Sequence, residues 1–520
     1  MLKFVLRTIC SLTLVPVLLF GAGKAEHVVL LVWDGMRPDF ITPEHAPTLH
    51  ALAQEGVFFA NHHSVYCTAT IVNGTAMATG LYPHRHGVYA NSIYLPDFQP
   101  LRPVGAQSME TVRHCDELSG GNYLVGPTIA EVLQAAGKHT AIAGSKTVAL
   151  MHDRKPRPDG QTNNITVFEG RTLPPSYVEV LRARQGRFPA AAPGANSEMP
   201  NESRDQWTTS ALLKSLWEHG VPAFSLLWLS EPDFSQHAAG PGSPKALNAL
   251  KSSDRRLAEV LAELDRRGVR DKTDVFVVSD HGFSTVETSI DVVRILRNAG
   301  FSARRSFESA PSKGDILVVG LGGSVSFYVI ERDEATVKKL VDFLQRQDFT
   351  GVLFTRQKME GTFTLEDAKI HVPYPPDVVL SMKWSDQKSD IGVPGVFWSD
   401  GNRRGAGNHA SLSRFDVNNI LVAAGPDLKR GFRSSVPSGN TDLAPTILWL
   451  LGHPSPKPMD GRVLSEALTV EGAPPVSAPT TRRLEAQREL DGLTWRQYLK
   501  VSQVNNTVYL DEGNSESVRK

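Results

Sequence analysis

The chain has 520 residues, 55 Lys plus Arg against 55 Asp plus Glu, and 41% hydrophobic residues. That balance excludes a disordered chain, whose signature is low hydrophobicity with high net charge. It also argues against a generic binder of nucleic-acid polymers, which needs a positive field.

Residues 1–25 read as a secretory signal peptide. Lys3 and Arg7 give a positive n-region, and residues 9–20 are apolar but broken by Pro16. Gly23 and Ala25 fit the −3 and −1 positions of a cleavage site. The apolar run falls short of the about 20 residues that span a bilayer. Export to the periplasm or the exterior is therefore expected, with no stable membrane insertion after cleavage. Cys67 and Cys115 are the cysteines left once Cys10 is removed; the sequence leaves open whether they pair.

Short, β-branched apolar runs at 28–33, 224–229, 275–279, 316–319 and 420–424 read as buried strands. Helical patterns lie between them at 46–55, 128–136 and 245–267, the last with Leu247, Leu250, Leu257, Val260, Leu261 and Leu264 on one stripe. Such alternation predicts an α/β fold with a mostly parallel central sheet and helices on both faces. Residues 26–470 form the expected main domain, with 285–400 as a smaller inserted subdomain. Residues 471–520 read as a C-terminal extension that starts charged and helical after Thr480 and then turns polar.

Ligands of parallel sheets bind beyond the carboxyl ends of the strands. Three of the predicted strands end there in Asp34, in Glu231-Pro232-Asp233 and in Asp280-His281. His237 follows Asp233 by four residues, so one helical turn presents both to one point. His409 sits in Gly405-Ala406-Gly407-Asn408-His409, a loop able to return over the sheet. Three Asp and three His make an N/O donor set that suits Zn²⁺, with Mn²⁺ or Fe as alternatives.

Within about residues 27–465 lie, in order, Leu30-Leu31-Val32-Trp33-Asp34-Gly35-Met36-Arg37, Thr79-Gly80-Leu81-Tyr82-Pro83-His84-Arg85-His86-Gly87, Glu231-Pro232-Asp233 with His237 and Gly240-Pro241, Ser279-Asp280-His281-Gly282, Gly407-Asn408-His409 and Asp442-Leu443-Ala444-Pro445-Thr446. As an ordered set these motifs resemble the alkaline phosphatase superfamily, and within it the nucleotide pyrophosphatase/phosphodiesterase family. The resemblance implies two zinc ions, one on Asp233, His237 and His409 and the other on Asp34, Asp280 and His281. Counting back nine residues from Thr79, it implies Thr70 as a metal-bound hydroxyl nucleophile, with Thr68 as the rival. The family motif Thr-x-Pro-Asn appears as Thr70-Ile71-Val72-Asn73, so the proline is replaced by Val72. Asn73, one turn on, is the expected donor to the developing oxyanion.

The expected substrate is a small phosphodiester or nucleotide, cleaved through a phospho-threonine intermediate. Sulfatases share the fold, but their Cys/Ser-x-Pro-x-Arg signal is absent here. A phosphonoacetate-hydrolase-like reading rests on Lys146, in Gly144-Ser145-Lys146-Thr147, as a substrate-binding cation rather than a solvated surface lysine. No residue stands out in the sequence as the extra cation that a phosphomonoesterase needs, which favours diesters. A non-catalytic binding protein on the same scaffold would have lost a ligand or the hydroxyl. Tyr82 and Phe234 are the aromatics near enough to the motifs to stack on a base. Oligomeric state is not legible.

Overall fold

A computed structural model describes residues 23–121, 123–190 and 201–519; the expected signal-peptide segment up to residue 22, Cys10 included, lies outside the described residues. The elements that build the site are β1 (His27–Trp33), α1 (Thr70–Thr79), β2 (Thr140–Gly144), β3 (Phe224–Leu229), α2 (Asp233–Ala239), α3 (Pro244–Arg266) and β4 (Thr273–Val278).

Among the described residues the principal sheet has nine strands, with β4, β1, β3 and β2 as consecutive neighbours at its centre. All three of those pairings are parallel: Val28 lies opposite Asp274 on one side and Phe224 on the other, and Thr140 lies opposite Phe224. Alternate residues of β1 feed two separate cores. Val28, Leu30 and Val32 pack with Ile71, Val72, Ala76 and Met77 of α1. Val29, Leu31 and Trp33 pack with Leu250, Leu257, Val260 and Leu264 of α3. Both faces are therefore covered by helices, which is why the strands read as unbroken apolar runs.

The α/β fold class thus appears as expected, and four of the five expected strand positions fall within this sheet to within two residues at each end. The run at 316–319 does not. It belongs to Ile316–Gly320, in a separate six-stranded sheet that holds strands from Ala303–Arg304 to Val378–Met382. A four-stranded sheet of Ser284–Ile290, Trp384–Lys388, Pro394–Asp400 and Gly407–Asn408 connects this region to the site.

β2 was not among the expected strands. Its residues are Thr, Ala, Ile, Ala and Gly, a composition with little intrinsic strand signal. Small side chains are needed there, because a Cβ on Gly144 would lie 2.4 Å from the Cβ of Ala149. The helical expectation after Thr480 is also overturned: Thr480–Leu490, Leu493–Val504 and Thr507–Ser515 form an antiparallel meander. The Arg, Glu, Ala and Gln of its first strand suit a helix. Burial nonetheless alternates, with Leu484, Ala486 and Arg488 turned partly inward between exposed neighbours.

The meander is packed against the rest of the chain. Tyr509 Oη donates to Asp442 Oδ2 at 2.8 Å and Tyr82 Oη to the Val508 carbonyl at 2.6 Å. Trp384 Nε1 donates to the Gly513 carbonyl at 2.7 Å, and Trp495 Nε1 to that of Gly361 at 2.8 Å. Cys67 and Cys115 are both free thiols.

Candidate metal centre and active site

Four neighbouring strands deliver the site at their carboxyl ends. Asp34 follows β1, Asp280 and His281 follow β4, and Asp233 follows β3 at the start of α2. The fourth is β2, whose end carries Lys146. One turn of α2 brings His237 Nε2 to 3.2 Å from Asp233 Oδ1. Gly407–Asn408 pairs with Ser284–Thr285 and carries His409 back to the same place, its Nε2 3.8 Å from Asp233 Oδ1. Two ligand clusters result: Asp233, His237 and His409, and Asp34, Asp233 and His281. Asp280 Oδ2 lies 3.3 Å from His281 Nε2, so all six expected ligands converge, with Asp233 between the two clusters.

The donor chemistry fits divalent metal. Asp34 Oδ1, Asp233 Oδ1 and Asp280 Oδ2 are buried and accept no hydrogen bond, a costly arrangement unless a cation satisfies them. The opposite oxygens are held in place. Trp228 Nε1 and Lys146 Nζ each lie 2.9 Å from Asp34 Oδ2, and Asp280 Oδ1 accepts from the N–H groups of Gly35 and His281, both at 3.0 Å. The imidazoles are oriented in the same way. Nδ1 of His237, His281 and His409 contacts the carbonyls of Gly407, Gly282 and Thr68 at 3.2, 2.9 and 2.7 Å. With Nδ1–H donating to each carbonyl, the Nε2 lone pair is left facing the cluster.

Electrostatics agree. Burial, then the nearby Asp280, push Asp34 well above the usual carboxylate range. Burial, with Asp233 adding to it against Lys146, pushes Asp280 up to about 6. Burial also opposes the charge of Asp233, but Lys146, His237 and His409 outweigh it and hold that carboxyl well below its ordinary value. Burial and the neighbouring His281 and His237 press His409 far down, and burial lowers His281. Burial lowers His237 too, but the adjacent Asp233 outweighs it and raises that imidazole; His281 and His409 are the two held in the neutral ligand form.

Thr70 opens α1, 3% exposed, with Oγ1 3.4 Å from His281 Nε2. Thr68 is turned elsewhere, its hydroxyl donating to the Ser411 carbonyl at 3.0 Å. Asn73 does not face the site. Its Nδ2 donates to the carbonyls of Val65 and Ala69 at 3.0 and 3.2 Å, and its Oδ1 accepts from Val65 N and Asn440 Nδ2 at 2.7 and 2.9 Å. Such an amide has no proton left for an oxyanion.

Beside the start of α1 lies Asn91, which belongs to no motif in the sequence. Its Oδ1 accepts from the N–H of Ile71, next to Thr70, at 3.1 Å, and its Nδ2 carries no hydrogen bond to a described residue. Only its position beside the start of α1 reveals it; nothing in the surrounding Ala90-Asn91-Ser92 marks it. Tyr82 is buried beneath the C-terminal meander and is no stacking platform. Phe234 is half-buried next to Asp233.

Comparison with known proteins supplies the family. The model of type I phosphodiesterase/nucleotide pyrophosphatase matches residues 28–384. Venom phosphodiesterase 2 of Crotalus adamanteus is 26% identical over 285 residues, which cover 54% of this chain and 28% of the relative. Ectonucleotide pyrophosphatase/phosphodiesterase family member 1 of Mus musculus is 25% identical over 279 residues, 51% of this chain and 24% of the relative. The match thus spans about a quarter of the length of these curated relatives. Among solved structures, murine ectonucleotide pyrophosphatase/phosphodiesterase 5 superposes with a TM-score of 0.60 at 16% identity, covering 85% of this chain and 100% of that one. An inactive variant of the same murine protein, solved in complex with AMP, superposes with a TM-score of 0.59.

Proposed function

Because the chain belongs to the type I phosphodiesterase/nucleotide pyrophosphatase family, we propose that it is a hydrolase of small phosphodiesters or nucleotides that works through a phospho-threonine intermediate at a two-zinc site. The observation that carries this reading is the convergence of three partnerless buried carboxylate oxygens and three oriented imidazoles beside the hydroxyl that opens α1. Zinc on these residues would supply Lewis acidity, easing ionisation of the hydroxyl and neutralising phosphoryl oxygens.

The chain's own residues account for the rest. Thr70 Oγ1 attacks phosphorus, a Thr–O–P bond forms and the ester bond to the leaving group breaks. Water then attacks the same phosphorus and the Thr–O–P bond breaks, returning the hydroxyl. Burial of Thr70 limits the water around the nucleophile. Asn91, in place of Asn73, is the donor available to a phosphoryl oxygen. Lys146 completes the substrate-binding set.

Export belongs to the same proposal. The two relatives are named as a venom enzyme and an ecto-enzyme, and no helix among the described residues is long and apolar enough to cross a membrane.

The test is Thr70→Ala on zinc-loaded protein with bis-p-nitrophenyl phosphate. Turnover should fall by at least about a thousandfold while two metals per chain are retained. Near-normal turnover in Thr70→Ala would reject the nucleophile, and a chelator-insensitive wild type would reject the metal site.

A further inference from the structure

Lys146 is not the surface lysine that its sequence context suggests. Its side chain is 23% exposed, and Nζ sits 2.9 Å from Asp34 Oδ2 and 2.9 Å from Asp233 Oδ2. Among the described residues it is the only Lys or Arg that pairs with any of the three ligand carboxylates. The backbone on either side of it is fixed. Ser145 donates through its N–H to the Trp228 carbonyl at 3.0 Å and through Oγ to Asp205 Oδ1 at 2.5 Å. The 3₁₀ turn Thr147–Met151 that follows is buried from Val148 onward.

We propose that Lys146 equips the site for a phosphoryl group carrying two negative charges, so that the enzyme hydrolyses phosphomonoesters as well as diesters. This rests on the two-metal reading above. The argument is one of charge. Asp34, Asp233 and Asp280 bring three negative charges, and two divalent metals on the ligand set exceed them by one. A diester, with a single negative charge on phosphorus, matches that excess. A monoester carries close to two negative charges above its second pKa of about 6. Lys146 supplies the second positive charge from a clamped backbone within reach of both clusters. Its two carboxylate partners belong to the same ligand set, so metal held there would take over their neutralisation and free the ammonium for the substrate. The hydrolysis balances as for a diester: the Thr70–O–P bond forms as the alcohol leaves with a proton, and water releases orthophosphate.

The experiment compares p-nitrophenyl phosphate with bis-p-nitrophenyl phosphate on the zinc-loaded full chain, wild type against Lys146→Met and Lys146→Arg. Metal content and thermal melting are recorded for each protein. Expected are turnover of both substrates by wild type, and a kcat/KM loss in Lys146→Met at least about 30-fold larger for the monoester than for the diester. Lys146→Arg should recover part of that loss.

Binding gives a readout apart from turnover. In a Thr70→Ala background, calorimetry should show p-nitrophenyl phosphate losing affinity on Lys146→Met by more than bis-p-nitrophenyl phosphate does. Turnover of neither substrate by wild type defeats the functional reading itself. Turnover of the diester with monoester below about 1% of it overturns only the present inference, as does an equal loss on both substrates, which would mark Lys146 as a counter-ion for the carboxylates. If Lys146→Met melts early or loses metal, the Lys146→Arg and wild-type comparisons still decide.

Discussion

Asn73 commits both ends of its carboxamide inside the protein, on Val65, Ala69 and Asn440, whereas Asn91 uses its oxygen on Ile71 and keeps its amide protons. The two positions should therefore fail in opposite ways. Asn73→Ala leaves buried backbone groups unpaired and should cost about 1–3 kcal/mol of stability, seen as a lower Tm, with kcat largely kept in the protein that stays folded. Asn91→Ala removes only the acceptor of the Ile71 N–H, so it should cost less stability than Asn73→Ala while lowering kcat about 100- to 1000-fold. Steady-state rates and melting curves on both variants check this, and the reverse pattern would restore Asn73 as the oxyanion donor.

The sequence could not separate these two residues. An asparagine three positions after Thr70 satisfies a motif, but which way its amide points depends on the loop Val65–Ala69 and on Asn440, remote in sequence. The convergence of the carboxylates was legible for the contrary reason: Asp34, Asp233, Asp280 and His281 each follow a strand whose end is set by its own apolar run. Lys146 was legible as a residue but not in its place beside Asp34 and Asp233, because the strand that aims it, β2, hardly announces itself.

At the scale of elements, α1 shows how packing on every side makes a helix rigid. Every residue from Thr70 to Thr79 is buried. Gly74 lies over the indole of Trp228, the same ring whose Nε1 holds Asp34. A Cβ at Gly74 would stand 2.4 Å from Val148 Cγ2 and 3.1 Å from Trp228 Cη2. Gly74→Ala should therefore destabilise by about 1–3 kcal/mol through overpacking, although Ala is the better helix former. A calorimetric Tm equal to or above wild type would contradict this account of the packing.

Elements with strong local patterns were readable: the helices expected at 46–55, 128–136 and 245–267 occur as Pro47–Glu55, Ile129–Ala135 and Pro244–Arg266. The second of these starts at a capping box between Thr128 and Glu131. Unreadable were elements whose form is imposed from outside. The small residues of β2 suit a tight place in the sheet, and the charged first strand of the meander is paired residue by residue with Leu493–Val504.

For the molecule as a whole, the buried carboxylates are a liability that metal converts into an asset. Three anionic side chains share one site at the head of the central sheet, and a cation that binds only the folded chain stabilises it by mass action. Chelation should lower Tm and zinc should restore it; each site at a hundredfold excess over its Kd contributes about 2.7 kcal/mol. A melting curve indifferent to chelator would mean that the ligand set holds no metal. The C-terminal meander acts at the same scale. It reaches the core through Asp442 and Tyr82 and the smaller sheets through Trp384 and Gly361.

The strand order also has a temporal side. The first strand finds its two neighbours only after roughly 200 and 250 further residues have been made, since Val28 pairs with Phe224 and Asp274. Long loops must close before these pairings repay their entropy, which slows folding. Until then an apolar strand waits with both edges open, the state in which chains of this size aggregate. A chain built this way profits from staying unfolded and chaperoned until synthesis is well advanced, which is also the condition that passage through a translocation channel imposes.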